Sequence, residues 1–440
     1  MYLTTKDARP FHVMCLGQLV SAVGTGLTNF SLGVWVYQQT GSATKFALVA
    51  LFSTVPGGIA LLFAGVLTDR WSQQRTMILS NTGAGLTTLI AAVLLYTGRL
   101  ELWHIYLGVM VRSIFIALLE PAFAASTTLL VKKQDFGRAS GIVQASRATA
   151  QILSPLLAGI LIGHIRLGGV LLVDFISYLF AVGTLLALTI PKPERIGSEI
   201  VVAKSSFVAK AVYGWTYIMG RSGLLMLLLY FAVINLVSCF ASALFTPMIL
   251  SFATAKVLGV ILSIAGAGFL GGSILMASWG GPKNRVYGIL GFGCVFGLCC
   301  ILAGLKGSPA LIGIAAFGMF CVLPIINGCS QAIWQCKTPV EVQGRVFAIR
   351  RLITMSTVPI SLIIAGPLAD KVFEPLVGRN GSASIGLIIG RGAGRGIGLM
   401  FMIAGALTIL TQFGAYLSPR LRFVERELPD AIPDITLSRV

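Results

Sequence analysis

Long apolar runs, each about the 20 residues needed to cross a bilayer core, recur along this chain with only short polar breaks between them. In lipid, every backbone N–H and C=O must find its partner inside the chain, so each run is a helix. Twelve candidate spans follow: 12–37, 45–66, 77–97, 102–130, 138–163 and 168–190, then 222–250, 255–278, 285–304, 309–333, 342–369 and 395–418. Charged residues make up 11% of the 440, against ~25% in ordinary soluble domains, and 56% are hydrophobic. The expected fold is an all-α polytopic membrane protein.

The formal net charge of +18 is spread over short inter-helix turns, which argues against a nucleic-acid partner. Lys and Arg sort by side instead. More than twice as many fall on the side of both termini as on the other, which predicts both termini in the cytoplasm. Met1–Phe11 is polar and the first apolar run is long, so no cleaved leader is expected. Most of the eight cysteines lie inside apolar runs without CxxC or Cys/His spacing, and His12, His104 and His164 stand apart. Neither a metal site nor a nucleophilic triad is expected. There is no G-x-x-x-x-G-K-[ST] loop, so no nucleotide drives the protein, no cofactor is implied, and the chain is not expected to be an enzyme. Gly390–Gly396 resembles a phosphate cradle only superficially and is expected to be a flexible outer loop.

An internal repeat divides the chain. Gly137-Arg138 and Ala158-Gly159-Ile160-Leu161 recur at a constant offset of 207 as Gly344-Arg345 and Ala365-Gly366-Pro367-Leu368. The expected organisation is a six-helix bundle over 1–190, a connector over 191–221, a second six-helix bundle over 222–418 and a loose charged tail over 419–440. Within the connector, 206–219 alternates in the manner of a helix lying on the membrane surface.

The break between the second and third spans reads Gly65-Val66-Leu67-Thr68-Asp69-Arg70-Trp71-Ser72-Gln73-Gln74-Arg75. A small residue precedes an acid, and cations follow. With this stretch the chain resembles the major facilitator superfamily, whose cytoplasmic signature Gly-x-x-x-Asp-Arg-x-x-x-x-Arg is matched at Gly65, Asp69, Arg70 and Arg75. Thr40-Gly41-Ser42-Ala43, Glu120-Pro121-Ala122 and Gly137-Arg138 are similar to the branch of drug:proton antiporters containing bacterial macrolide efflux pumps and the enterobactin exporter. The resemblance implies twelve helices in two pseudo-symmetric bundles around a central cavity. It also implies a latch in which Asp69 lies on the N-terminus of span eleven, near Gln343-Gly344, and holds the outward-facing state. There the positive helix end favours an anion by about 0.3–2 kcal/mol.

Charges inside a bilayer are costly and usually functional. Arg112 and Glu120 in span four lie eight residues apart, about 12 Å along one side of a helix, so both are expected to face the interior without pairing. Arg112 stands where the family often has an arginine linked to proton coupling. Glu120 has Arg138 or Arg147 as a structural alternative. Asp174 is either a proton carrier or a helix-start residue reaching outer water, and Arg147 pairs with Glu120 or with Asp174. Gln18, Asn29, Asn235 and Asn327 are neutral candidates for lining the cavity, each with a helix–helix hydrogen bond as its alternative. Ser154, Pro155 and Gly159 in span five match the family's antiporter motif in relaxed form, and Pro359 supplies a comparable bend in the other half. The resulting expectation is a monomer that exports a small amphipathic compound (a drug in multidrug fashion, a secondary metabolite or a siderophore-like molecule) across the lipid bilayer by proton-coupled alternating access. Uptake, a lipid or lysolipid flippase, and a transport-dead scaffold or sensor are the competing readings.

Overall fold

Every regular element among the described residues is a helix; the computed structural model describes residues 9–70, 72–131, 136–189, 215–338, 340–377 and 392–427. The long helices are α1 (Arg9–Thr40), α2 (Ala43–Arg70), α3 (Gln73–Tyr96), α4 (Leu102–Leu130), α5 (Phe136–Leu186), α6 (Ser222–Leu250), α7 (Ala255–Trp279), α8 (Arg285–Leu305), α9 (Pro309–Lys337), α10 (Val340–Leu368) and α11 (Arg395–Leu417). Eleven helices among the described residues are long and apolar enough to cross a membrane, where the sequence predicts twelve spans. The difference lies in α5. Phe136–Leu186 runs 51 residues, which as one straight helix would reach about 76 Å, more than twice a hydrocarbon core, so it carries two crossings.

Those two crossings meet at Arg166, whose φ of 55° and ψ of −177° break the helix. This backbone region is essentially reserved for glycine, because a Cβ there crowds the neighbouring carbonyl. Arg166→Gly is therefore expected to stabilise the protein by about 1 kcal/mol, read as a raised thermal midpoint in detergent; an unchanged or lowered midpoint would mean that the Arg166 side chain contributes as much as the strain removes.

Two compact units emerge, Met1–Ile196 with Ile249–Ser263, and Gly197–Met248 with Ile264–Val440. In the first, α1 packs along α5, and α2 and α3 pack on α4. Without a hydrophobic drive between helices in lipid, close approach depends on small residues. A Cβ at Gly57 would meet the carbonyl oxygen of Ser113 at 2.9 Å, and one at Gly159 would meet the carbonyl oxygen of Ala255 at 2.8 Å. The segment around Ser154, Pro155 and Gly159 thus serves close packing: Pro155 is accommodated inside α5, and the start of α7 lies on this stretch. Apolar clusters close both ends of the unit. Leu32, Val36, Ile105, Val109 and Leu171 form one, and Met14, Met77, Ala122 and Leu185 the other. Buried polar side chains fill the length between them.

In the second unit, α6 is tied to α10 by Asn235, whose Nδ2 donates to Thr357 Oγ1 and, at 3.0 Å, to the Thr354 carbonyl. Tyr230 Oη donates to Gln412 Oε1 at 2.6 Å, joining α6 to α11. The stretch expected to be a loose tail is helical over Pro419–Arg422 and Val424–Glu427. It docks because Leu421 and Val424 are buried, because Glu425 accepts the Val286 N–H at the start of α8, and because Lys337 Nζ donates to the Glu425 carbonyl at 2.6 Å. The end of the glycine-rich segment is likewise fixed. Glu374 accepts the N–H groups of Gly394 and Ile397 and so caps α11, with Gly394 in the left-handed region at φ 79°. Most of the expected surface helix at 206–219 lies outside the described residues; 215–219 are helical, with Ile218 buried.

Candidate functional site

Two opposite charges inside the first unit dominate its chemistry. Arg112 is 4% exposed and Asp174 is fully buried, with Arg112 Nη1 3.7 Å from Asp174 Oδ2. Asp174 is the sole buried carboxylate among the described residues. Removing two charges from water costs several kcal/mol each, so such a pair persists only when further hydrogen bonds complete it. Here they come from four helices. Thr88 on α3 donates to Asp174 Oδ2 at 3.3 Å, and Ser177, one turn along α5, donates to the Asp174 carbonyl at 2.7 Å and lies 3.5 Å from Oδ1. From α4, Arg112 Nη2 donates to Asn29 Oδ1 on α1. Also on α1, Gly24 leaves the space the carboxylate occupies; a Cβ there would approach Asp174 Oδ1 to 2.8 Å. A glycine, two hydroxyls and a guanidinium surround one carboxylate, and an amide holds the guanidinium.

The remaining sequence candidates fall elsewhere. Arg147 pairs with Glu120 and not with Asp174, at 2.8 Å, with both side chains more than half exposed. Exposed pairs of this kind contribute about 0–1 kcal/mol. Arg112 and Glu120 therefore do not share the interior, and Asp174 is sealed from the helix end instead of reaching outer water. Asn29 is exposed on one side while its amide oxygen holds Arg112. Gln18 lines a small cavity in the first unit. Asn235 is a helix–helix tie, Asn327 is exposed on the second unit, and Pro359 lies inside α10. The side chains of Asp69 and Arg70 and the surroundings of Gly65 lie outside what is described, and Arg75 is exposed.

Thr88 and Ser177 are not marked in the sequence, because hydroxyls are common in membrane helices and carry no distinguishing spacing. A further half-buried contact is made by Arg350 in α10, which donates to Gln331 Oε1 at 2.9 Å and to Ser330 Oγ at 3.0 Å on α9. An arginine within an apolar run was the available signal. Beside the charged cluster, an open groove of about 530 Å³ runs between α1 and α5, with Leu19, Val23, Leu153, Leu157, Ile176 and Phe180 among its walls. Its apolar walls suit a hydrophobic ligand face and not a phosphate or a sugar. No group of three or more His, Cys, Asp or Glu side chains among the described residues is arranged to hold a metal ion.

The chain is similar in sequence and in fold to known proteins. The family model for the Major Facilitator Superfamily matches residues 14–362. Macrolide efflux protein A of Streptococcus pyogenes is 24% identical over 369 residues, covering 82% of this chain and 90% of that protein. The enterobactin exporter EntS of Salmonella typhi is 28% identical over 168 residues, 38% of this chain and 39% of EntS. Among solved structures, a bacterial homolog of the human lysosomal transporter Spinster matches with a TM-score of 0.68 at 14% identity, covering 96% of this chain and 98% of that one. A POT family transporter in complex with 5-aminolevulinic acid matches with a TM-score of 0.69 at 13% identity, covering 95% of this chain and 98% of that one.

Proposed function

The chain belongs to the major facilitator superfamily, and on that premise we propose that it exports a small amphipathic compound by proton-coupled alternating access, with Asp174 as the proton carrier. The buried Arg112–Asp174 pair is the observation that carries this reading. A carboxylate held by one guanidinium and two hydroxyls has two stable arrangements: ionised and paired, or protonated and released from Arg112. When the proton binds, the ion pair dissolves, and Arg112 keeps its amide acceptor on α1 at Asn29. Helix packing in the unit thereby becomes a function of proton occupancy, which is what coupling requires. The same four-helix cluster would not be retained in a transport-dead scaffold without cost, since buried charge pairs are weak contributors to stability.

The apolar groove and the similarity to macrolide and enterobactin exporters favour an amphipathic substrate such as a drug, secondary metabolite or siderophore-like compound over a highly charged one. The groove's mostly apolar walls also favour a second reading, movement of a lipid or lysolipid, which labelled-lipid transfer between leaflets distinguishes from solute export. The test of the main reading is reconstitution into liposomes with an imposed pH gradient, screening hydrophobic cations, macrolides and siderophores. Accumulation of one class that collapses with the gradient supports it; transport of all classes at gradient-independent rates contradicts it.

Gly65, Asp69, Arg70 and Arg75, at the end of α2 and the start of α3, are assigned to holding the outward-facing state of the cycle. Asp69→Asn is expected to shift the population inward. Labelling of cysteines placed near the periplasmic ends of the helices should fall several-fold in that variant, and unchanged labelling would remove the assignment.

A further inference from the structure

Between the apolar cluster at Met14 and Met77 and the charged cluster at Asp174 lies a cavity of about 190 Å³, lined in part by Gln18, Ser21, Thr25, Ser80, Asn81 and Tyr178. Resting on the proton-coupled reading above, we propose that this cavity is filled with water and is the route by which the coupled proton reaches Asp174.

Three helices present polar groups in step along it. On α1, Gln18, Ser21 and Thr25 follow at helical spacing and lead to Gly24, which abuts the Asp174 carboxylate. On α3, Ser80 and Asn81 lead through Ala84 to Thr88, which donates to the same carboxylate. On α5, Tyr178 lies one turn, about 6 Å, beyond Asp174. The polar groups are partly joined to one another: Ser21 Oγ donates to Asn81 Oδ1 at 3.3 Å, and the Thr25 and Tyr178 hydroxyls are 2.8 Å apart. Two are not. Ser80 Oγ, on a residue 1% exposed, and Gln18 Nε2 have no hydrogen-bond partner among the described residues. Buried polar atoms of native proteins are nearly always satisfied, and water is the partner that fits a cavity whose wall carries these polar side chains beside apolar Ile116 and Leu119 and which has room for several molecules of about 30 Å³ each.

One side of the cavity is open. Met14, Met77, Ala122 and Leu185 seal the end of the bundle, whereas Ala22, which also lines the cavity, is exposed on a face of α1 that carries Asn29. A proton therefore enters beside Ala22 and passes along hydrogen-bonded water and the Thr25–Tyr178 hydroxyl pair. It ends on a carboxylate oxygen of Asp174 as that oxygen releases Arg112. No electron is transferred, and the proton leaves by the same groups in reverse or by the opposite face after the conformational change.

Ser80→Cys tests both parts. The variant is reconstituted, treated with methyl methanethiosulfonate, and compared with wild type treated in parallel, which controls for the eight native cysteines. Modification of the introduced thiol in the folded protein is expected, followed by a tenfold or greater loss of substrate-driven proton movement that dithiothreitol restores. Substrate affinity should stay within twofold. Ala84→Leu, which fills the same space without a reagent, is expected to reproduce the loss. An introduced thiol that does not react overturns the hydrated cavity. A modified thiol with unchanged proton movement overturns the route while leaving coupling through Asp174 intact. Absence of substrate-driven proton movement in wild type overturns the coupled reading itself and the route with it.

Discussion

Asp174→Asn is expected to abolish accumulation driven by a pH gradient, by a factor of 100 or more, while substrate exchange at equal pH on both sides survives. The substitution keeps the size of the side chain and its hydrogen bonds to Thr88 and Ser177 but removes the group that takes and releases a proton. A substrate-binding role for Asp174 gives the opposite pattern, in which exchange falls together with accumulation. The ratio of accumulation to exchange in one proteoliposome preparation therefore separates coupling from binding. Gly24→Leu supplies a contrast: a side chain there collides with Asp174 Oδ1, so both activities and folded yield should fall together.

Arg112→Leu should be the most damaging single change to stability within the first unit. Removing one partner of a buried ion pair leaves the other charge without compensation and costs about 3–5 kcal/mol, enough to reduce folded yield in detergent sharply. The double variant Arg112→Leu/Asp174→Leu removes both charges and should recover most of that loss, because a well-packed apolar pair in place of a buried ion pair is often neutral or stabilising. It should nevertheless transport nothing against a pH gradient. Folded yield and thermal midpoint of the two single variants and the double variant, read as a cycle, measure the coupling between Arg112 and Asp174 directly. A double variant no better folded than Arg112→Leu would place the value of Arg112 in its bond to Asn29 instead.

The spans are legible in the chain because apolar runs of bilayer length have few alternatives: α4 spans Leu102–Leu130 and α6 Ser222–Leu250, where the sequence expects 102–130 and 222–250. The break between the fifth and sixth spans is legible too: the sequence leaves 164–167 between them, and the helix breaks at Arg166. Helix rotation is the harder problem. Arg112 and Glu120 are eight residues apart, which at 100° per residue is about 80° beyond two full turns. That offset is enough to bury one and expose the other. For Asp174, distance along a helix is a poor measure of distance from water, because Leu167, Leu171, Ile105 and Val109 cover that end of the bundle. The identities of the charged residues are visible in the chain; their partners depend on packing between helices far apart in sequence.

The tail shows the same division. Its charges suggest a solvated end, but Leu421 and Val424 recur at helical spacing and find a buried seat, while Glu425 supplies an acceptor for the start of α8. Two apolar side chains and one cap are sufficient to order a segment whose composition is polar.

The most direct test of the account is proton movement itself. Proteoliposomes loaded with a pH-sensitive dye and given only a substrate gradient should show proton counterflow with wild type and none above the protein-free background with Asp174→Asn. Counterflow in Asp174→Asn at the wild-type rate would contradict the assignment of the coupled proton to this carboxylate.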